Sequence, residues 1–319
     1  MTENIVVIGG GTGVAAILRG IKNIEGFHIS AIITVADDGG STGRLRARYN
    51  IPAVGDIRNV LTALAESESL LSNLMDYRFG GDSSISDDIA GHSLGNLILV
   101  ALMQSSGNIM EAIGQVGSVL RIRGEIIPST TEVVDLFAEM KDGTIVRGED
   151  SIPSFKNVIK RVFYDREVLA TKEAVNALTE ADYIVLGIGS LYTSVIPNLI
   201  VKGISEAINN NKKAKVIYLC NIMTEPGETD NYDVDDHIRA IEDHMKGKID
   251  TVIYPSNTIP EYIINKYKTE GSDVVILDES KKRDCKIIKS DLLCFDEDQA
   301  RHCSHKIEQA IKTRMKVEF

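Results

Sequence analysis

Residues Asn4–Val14 read Asn-Ile-Val-Val-Ile-Gly-Gly-Gly-Thr-Gly-Val. A loop this rich in glycine lets its backbone approach an anion with no Cβ in the way. A helix opening behind it adds free N–H groups and a positive dipole end, so Gly10, Gly11, Thr12 and Gly13 are candidate phosphate ligands. A second cradle of the same kind is Gly187-Ile188-Gly189-Ser190-Leu191-Tyr192-Thr193-Ser194, where Gly189 is joined by the hydroxyls of Ser190, Tyr192 and Ser194. Between them lies an acidic loop, Ala36-Asp37-Asp38-Gly39-Gly40-Ser41-Thr42-Gly43-Arg44. Acids at the end of a second strand are placed to take ribose hydroxyls, and Gly40, Ser41 and Arg44 extend that polar surface.

Further polar groups punctuate the chain. Gly55-Asp56-Ile57-Arg58-Asn59 puts Asp56 near a helix start, where it either caps N–H groups or joins Arg58 and Asn59 in a cleft. Gly91-His92-Ser93-Leu94-Gly95-Asn96 offers His92 as base, ligand or cap, beside Asn96. Asn221 and Thr224 fall in Cys220–Thr229, a polar loop at a strand's carboxyl end. Arg44, Arg58 and Arg301 could each neutralise a diphosphate. Asp37, Asp38 and Asp56 could take sugar hydroxyls or hold Mg²⁺ through one or two carboxylates and the substrate's phosphates.

Other chemistries lack their residues. Val14 stands where a dinucleotide fingerprint needs its third glycine, which argues against a nicotinamide dehydrogenase. Gly-Lys-Ser/Thr is absent, so a P-loop kinase is disfavoured. His302, Cys303 and His305 cluster near the end, but nothing nearby completes a zinc site, and they read as a solvated helix start. With 46 acidic against 35 basic side chains, a net charge of −11 repels nucleic-acid backbones and anionic membranes. The four cysteines have no CxxC spacing and read as reduced thiols. No leader or membrane-length apolar run is seen, so a cytoplasmic protein without membrane insertion is expected.

The elements that must hold these groups alternate. Strands are expected at Ile5–Ile8, Phe27–Val35, Val158–Tyr164, Tyr183–Leu186, Ala214–Leu219, Thr251–Tyr254, Val274–Leu277 and Lys286–Ile288. Helical patterns cover Ala15 to about Ile21, Val60 to about Leu74, Leu97–Met103, Ile113–Leu120, Glu167–Leu178, Val195–Ile208, His237–Met245, Glu261–Lys268, and about Asp298 to Lys316. Glu132–Met140 and Thr144–Arg147 form a hairpin across Asp142-Gly143, and Gly80–Gly91 is a polar loop. The result is an α/β protein with a mainly parallel sheet in one composite domain over residues 1–319, carrying a hairpin and strand insertion at roughly 127–165.

Taken in order, these motifs, with Met223-Thr224-Glu225-Pro226-Gly227-Glu228-Thr229, resemble the gluconeogenesis-factor proteins of the YvcK type. Those are relatives of 2-phospho-L-lactate transferase of the CofD type, and the resemblance spans nearly the whole chain. It implies a Rossmann-like three-layer α/β/α fold and a cytoplasmic protein that binds UDP-sugars such as UDP-N-acetylglucosamine. It also implies a role in cell shape and envelope-precursor supply during growth on gluconeogenic carbon. Thr12, Asn198, Tyr267 and Arg301 match its nucleotide-sugar positions, and Asp56 matches the acceptor or metal region of the transferases. A regulator of this kind needs no cofactor. Its partner would be an enzyme of amino-sugar or envelope-precursor synthesis, or a second copy of the chain. The transferase alternative, phosphoryl- or nucleotidyl-type, would use Mg²⁺ with Asp56 as catalytic and metal-binding carboxylate, and both alternatives stay open. Ile188 replaces the family's usual proline, the Gly80–Asp88 loop is extended, and Cys303-Ser304 replaces an acid–threonine pair.

Overall fold

The structure, a computed structural model, describes residues 2–66, 70–81 and 88–314. The chain opens with β1 (Glu3–Gly9), α1 (Gly11–Ile21) and β2 (Phe27–Ile33). Then come α2 (Gly40–Tyr49), α3 (Gly55–Leu64), α4 (Leu70–Asp76), α5 (Leu94–Ser106) and α6 (Ile109–Leu120), leading to β3 (Glu125–Pro128). An inserted segment holds β4 (Leu136–Met140), β5 (Ile145–Arg147), the short α7 (Ser151–Ser154) and β6 (Ile159–Tyr164). After α8 (Lys172–Glu180) and β7 (Tyr183–Leu186), a π-turn at Leu191–Val195 runs into α9 (Ile196–Leu199) and α10 (Ile204–Asn210). The last third is β8 (Lys215–Leu219), α11 (Val234–Met245), β9 (Thr251–Pro255), α12 (Glu261–Thr269), β10 (Lys286–Ser290), β11 (Leu293–Asp296), β12 (Gln299–His302) and α13 (Ser304–Arg314).

Seven strands form one parallel sheet in the order β10-β9-β8-β7-β1-β2-β3. Strand β1 lies inside the sheet between β7 and β2, and its Ile5, Val6, Val7 and Ile8 are all buried, because helices cover both faces of a parallel sheet. From β1 the chain first moves outward through β2 to β3, then returns to β7 and moves the other way. Right-handed crossovers taken in opposite directions put their helices on opposite faces. Accordingly α1 packs with α3 and α13, whereas α10 packs with α8 and α9. The direction reverses between β1 and β7, the switch point beyond whose strand carboxyl ends open α/β sheets bind ligands. The inserted antiparallel sheet, β5-β4-β6, docks beside α9: the Tyr164 hydroxyl donates to the Pro197 carbonyl at 2.9 Å.

Several elements differ from the sequence expectation. Helix α1 starts at Gly11 instead of Ala15, so the glycine loop itself forms its first turn. The loop expected over Ala36–Arg44 turns helical at Gly40, which the small residues Gly39 and Gly40 permit. The long helix expected from Val60 begins at Gly55 and stops at Leu64, where Ala65 turns extended and bridges to Ile122. Thr171 fixes the start of α8, its hydroxyl accepting the Ala174 N–H at 3.2 Å, so Glu167–Ala170 lie outside the helix. The helix expected over Val195–Ile208 is interrupted at Gly203, which has φ +103°. Val274–Leu277 makes only a bridge from Val274 to Met223. The segment from Asp298 is a strand through His302, and α13 begins at Ser304, because Glu297 at φ +45° turns β11 back on β12. His302 and His305 therefore share no helix. Residues 82–87 of the Gly80–Gly91 loop, residues 67–69 and the chain end from 315 lie outside the described residues.

Candidate functional site

The crevice between β1 and β7 is floored by two loops in direct contact. A Cβ on Gly13 would stand 2.1 Å from the Ile188 carbonyl oxygen, so only glycine lets the first turn of α1 abut the loop after β7. Gly10, the N-cap of α1, has no side chain to satisfy that helix's first N–H groups. Above this floor is a cleft of about 640 Å³. Thr12, Gly13 and Arg19 of α1, Gly189 and Ser190, Asn221, Tyr267 of α12 and Arg301 of β12 are among its lining residues. The Gln299 side-chain oxygen accepts from Arg301 Nε at 2.8 Å; this neutral partner steadies the guanidinium without cancelling its charge. His302 ties β12 to the end of β8 through Nε2 and the Cys220 carbonyl at 3.1 Å. Its burial holds the imidazole down to about 4, so it is neutral there, not part of a solvated helix start. A cavity of about 710 Å³ between the end of α2 and the starts of α6 and α8 contains none of the candidate residues.

A second group of side chains lies at the ends of β1, β2 and α3. Asp56, in the first turn of α3, holds its carboxylate against the glycine turn of α1, Oδ2 standing 2.4 Å from where a Cβ on Gly10 would be. Burial pushes Asp56 up to about 6, and the charge of Asp37 adds to this, against the Gly11 N–H, Arg58 and Asn59. Asp37 Oδ1 takes the Gly39 N–H at 2.9 Å, and Asp38 Oδ1 takes the Asp150 N–H at 2.9 Å. Through that bond the inserted segment brings Glu149 to the group. Burial, with the charges of Asp37, Glu228, Asp56 and Asp38, pushes Glu149 up to about 8. Among the described residues no three His, Cys, Asp or Glu side chains are gathered to hold a metal ion. By themselves these carboxylates do not form a metal centre.

The second cradle is already occupied by the protein. The Glu228 carboxyl accepts the Tyr192 N–H at 3.0 Å and the Thr193 hydroxyl at 2.7 Å, and Ser190 Oγ donates to Glu225 at 2.8 Å. Burial and the neighbouring Glu225 push Glu228 upward. Tyr192 is buried against Tyr232, whose hydroxyl lies 2.8 Å from its own, so Tyr192 does not face the cleft. Of this loop only Ile188, Gly189 and Ser190 line the cavity. Ser194 is buried beside Gly10 and Gly11.

Other candidates are structural supports. Asn198 is fully buried, and its amide donates to the Gly9 carbonyl at 3.1 Å, bracing β1 from below. Asn221 Nδ2 donates to the Gly189 carbonyl at 2.9 Å and its Oδ1 accepts from Tyr218, so it shapes the cleft wall. Thr224 Oγ1 accepts the Asp273 N–H at 2.8 Å. Arg58 pairs with Asp76 and with Asn59 Oδ1, and Arg44 donates to the Ala90 carbonyl, so neither guanidinium is presented to the cleft. Gly40 is exposed at the start of α2. Ser41, His92 and Asn96 form a separate buried knot. Asn96 Nδ2 donates to Ser41 Oγ at 3.1 Å, and Ser41 Oγ lies 2.8 Å from His92 Nδ1.

Sequence reasoning passed over Arg19, Glu149 and Gln299, and quoted Glu225 and Glu228 only within a motif. Arg19 sits two helical turns beyond Gly11 on α1, a spacing legible once that helix is known to start in the glycine loop. Nothing local marks Glu149, which reaches the acids only through the fold.

The sequence model of one family, described as 2-phospho-L-lactate transferase CofD, matches residues 5–293. The chain is 44% identical over 313 residues to a gluconeogenesis factor of Halalkalibacterium halodurans, covering 97% of this chain and 95% of that one. It is 42% identical to the gluconeogenesis factor of Bacillus subtilis, with 98% of each chain covered. A crystal structure of a Bacillus halodurans protein superposes with a TM-score of 0.93 at 43% identity, covering 98% of this chain and 100% of the other. Another, of a UPF0052-family member from the same organism, gives 0.92 at 43% identity, covering 97% and 99%.

Proposed function

The chain belongs to the CofD family and within it to the gluconeogenesis factors, and from that premise we propose that it binds a nucleotide sugar, UDP-N-acetylglucosamine or a close relative, in the β1–β7 crevice. One observation carries the reading. In a single cleft of about 640 Å³, Thr12 and Gly13 of the first turn of α1 line the wall together with Arg19, Arg301 and Tyr267, and the N-cap Gly10 gives that turn no side-chain cap. Helix N–H groups and guanidinium groups favour a diphosphate, an aromatic ring offers a face to a base, and the volume lies in the usual range for ligand pockets. The ligand then reports precursor supply, and the protein adjusts a partner enzyme of amino-sugar or envelope-precursor synthesis in the cytoplasm during growth on gluconeogenic carbon, with consequences for cell shape.

Calorimetric titration with UDP-N-acetylglucosamine and with NAD tests the binding. Heat with the UDP-sugar and none with NAD is expected. Binding of NAD without measurable UDP-sugar affinity would overturn the proposal. A second reading, transfer of a nucleotide-linked phosphoryl group, is favoured by Asp56 and Glu149, whose carboxyls titrate near neutrality beside the crevice.

A further inference from the structure

Cys294 and Cys303 lie on the hairpin that carries Arg301 and His302. The register pairs Leu293 with His302 and Cys294 with Arg301, and the Cys303 N–H donates to the Leu292 carbonyl at 2.8 Å. Cys294 and Cys303 are therefore diagonal neighbours on one face of the hairpin. Cys303 is also the residue before α13, its carbonyl accepting the Ile307 N–H at 2.9 Å, which places it at the N-terminus of that helix. Cys294 is exposed and Cys303 half-buried, so a small reagent can reach them. Cys220 is buried, with its thiol pushed up to about 12, and Cys285 lies apart on the approach to β10.

We propose that Cys294 and Cys303 are a thiol–disulfide exchange site that couples the oxidation state of the surroundings to the shape of the nucleotide-sugar cleft. The bond itself is independent of the proposed ligand; its effect on binding rests on that reading. Burial raises the Cys303 thiol, but the Cys294 donor, the Lys306 and His305 N–H groups and the Lys306 charge outweigh it, so Cys303 is the better thiolate. Its sulfur attacks a low-molecular-weight disulfide such as glutathione disulfide, forming a mixed disulfide and expelling one half as thiolate. Cys294 then loses its proton to solvent and attacks Cys303 Sγ, expelling the second half. Two protein thiols are oxidised, one small disulfide is reduced to two thiols, and no other reagent is needed.

The bond moves backbone. Diagonal residues of an antiparallel pair stand roughly 7–8 Å apart, whereas a disulfide holds its Cα atoms within about 4.4–6.8 Å. Closing the gap draws in the chain at His302–Ser304 and takes the sulfur from the α13 amides. His302 and Ser304 both line the cleft, and the Ser304 carbonyl sits where a Cβ on Gly20 of α1 would be, at 2.4 Å. The shift therefore reaches both walls.

The test treats reduced full-length protein with glutathione disulfide at pH 7.5 and follows mass, hydrogen exchange and UDP-N-acetylglucosamine binding. Wild type is expected to lose two hydrogens in mass, with a peptide map joining Cys294 to Cys303, reversed by dithiothreitol. Cys294→Ser should instead stop at a glutathione adduct on Cys303. The oxidised wild type should exchange its His305 and Lys306 amides at least fivefold faster and bind the UDP-sugar at least fivefold more weakly. A glutathione adduct without the internal bond in wild type, or a bond involving Cys285, would overturn the exchange site. Unchanged exchange at His305 and Lys306 would overturn the coupling. If neither redox form binds the UDP-sugar, the nucleotide-sugar reading fails, while the mass and exchange data still decide the thiol site.

Discussion

The carboxylate of Asp56, in the first turn of α3, lies against the glycine turn that opens α1. The contact is so close that a Cβ on Gly10 would stand 2.4 Å from Asp56 Oδ2. A carboxylate of the protein thus stands beside the free N–H groups of this turn, and Thr12 and Gly13 line the cleft. Charge on Asp56 both steadies that turn and repels an anion bound at it.

This relationship makes ligand affinity depend on pH. The folded-state value of Asp56 is raised to about 6 from 3.8, so the group loses its charge as pH falls through about 6. Repulsion of a diphosphate is then relieved, and UDP-N-acetylglucosamine should bind a few-fold more tightly at pH 5.5 than at 7.5. Asp56→Asn keeps the side chain's shape and removes its charge, so it should bind like the low-pH wild type with that pH dependence removed. Calorimetry at both pH values checks this; an undiminished pH dependence in Asp56→Asn would assign it to another group. The variant also separates the two functional readings. Mg²⁺-dependent transfer from a nucleotide substrate by wild type, lost in Asp56→Asn, would favour the transferase over the regulator.

Gly11 has φ +65°, where a residue with a Cβ costs about 1–2 kcal/mol and a β-branched one is worse placed. Among the described residues only Ser194 Oγ, at 3.8 Å, lies near the position of a new Cβ, so Gly11→Val should fold with that modest loss. Its side chain would stand where the phosphate approaches, and UDP-sugar affinity should fall at least tenfold. Unchanged affinity in a folded variant would reduce the glycine loop to a structural turn.

Glu228 is a buried acceptor with two protein donors, and its upward shift, with that of Glu149 to about 8, ties stability to pH. A carboxyl raised on folding contributes its full stability below its unfolded value of 4.5, and loses it as pH rises through the folded value. Denaturant midpoints should therefore fall between about pH 5 and 8.5. Glu228→Gln should flatten that slope at little cost, whereas Glu228→Ala leaves the Tyr192 N–H and Thr193 hydroxyl unpaired, at about 1–3 kcal/mol for each. Urea titrations across the range decide it; equal slopes in wild type and Glu228→Gln would mean that Glu228 is ionised in the native state.

Local pattern was enough to identify the α/β class and the parallel strands, because buried strands such as Ile5–Ile8 are continuous apolar runs and glycine loops such as Gly9–Gly13 mark their ends. The order of motifs along the chain was likewise enough to recognise the family; that Thr12, Gly13, Gly189, Ser190, Asn221, Tyr267 and Arg301 line one cleft is seen in the folded chain. Only tertiary structure decided which donors face that cleft. The glycine–hydroxyl loop after β7 carries the residues of an anion cradle, yet Glu228, 36 residues past Tyr192, fills it from another loop. Arg58 looks free in sequence and is paired with Asp76; Glu149 looks incidental and is carried to Asp37 and Asp38 by the inserted sheet. Element type is set by short-range sterics and burial periodicity, which adjacent residues encode. The partner of a buried donor or carboxylate is set by which distant loop the topology lays against it, and nothing near that residue in the chain records the choice.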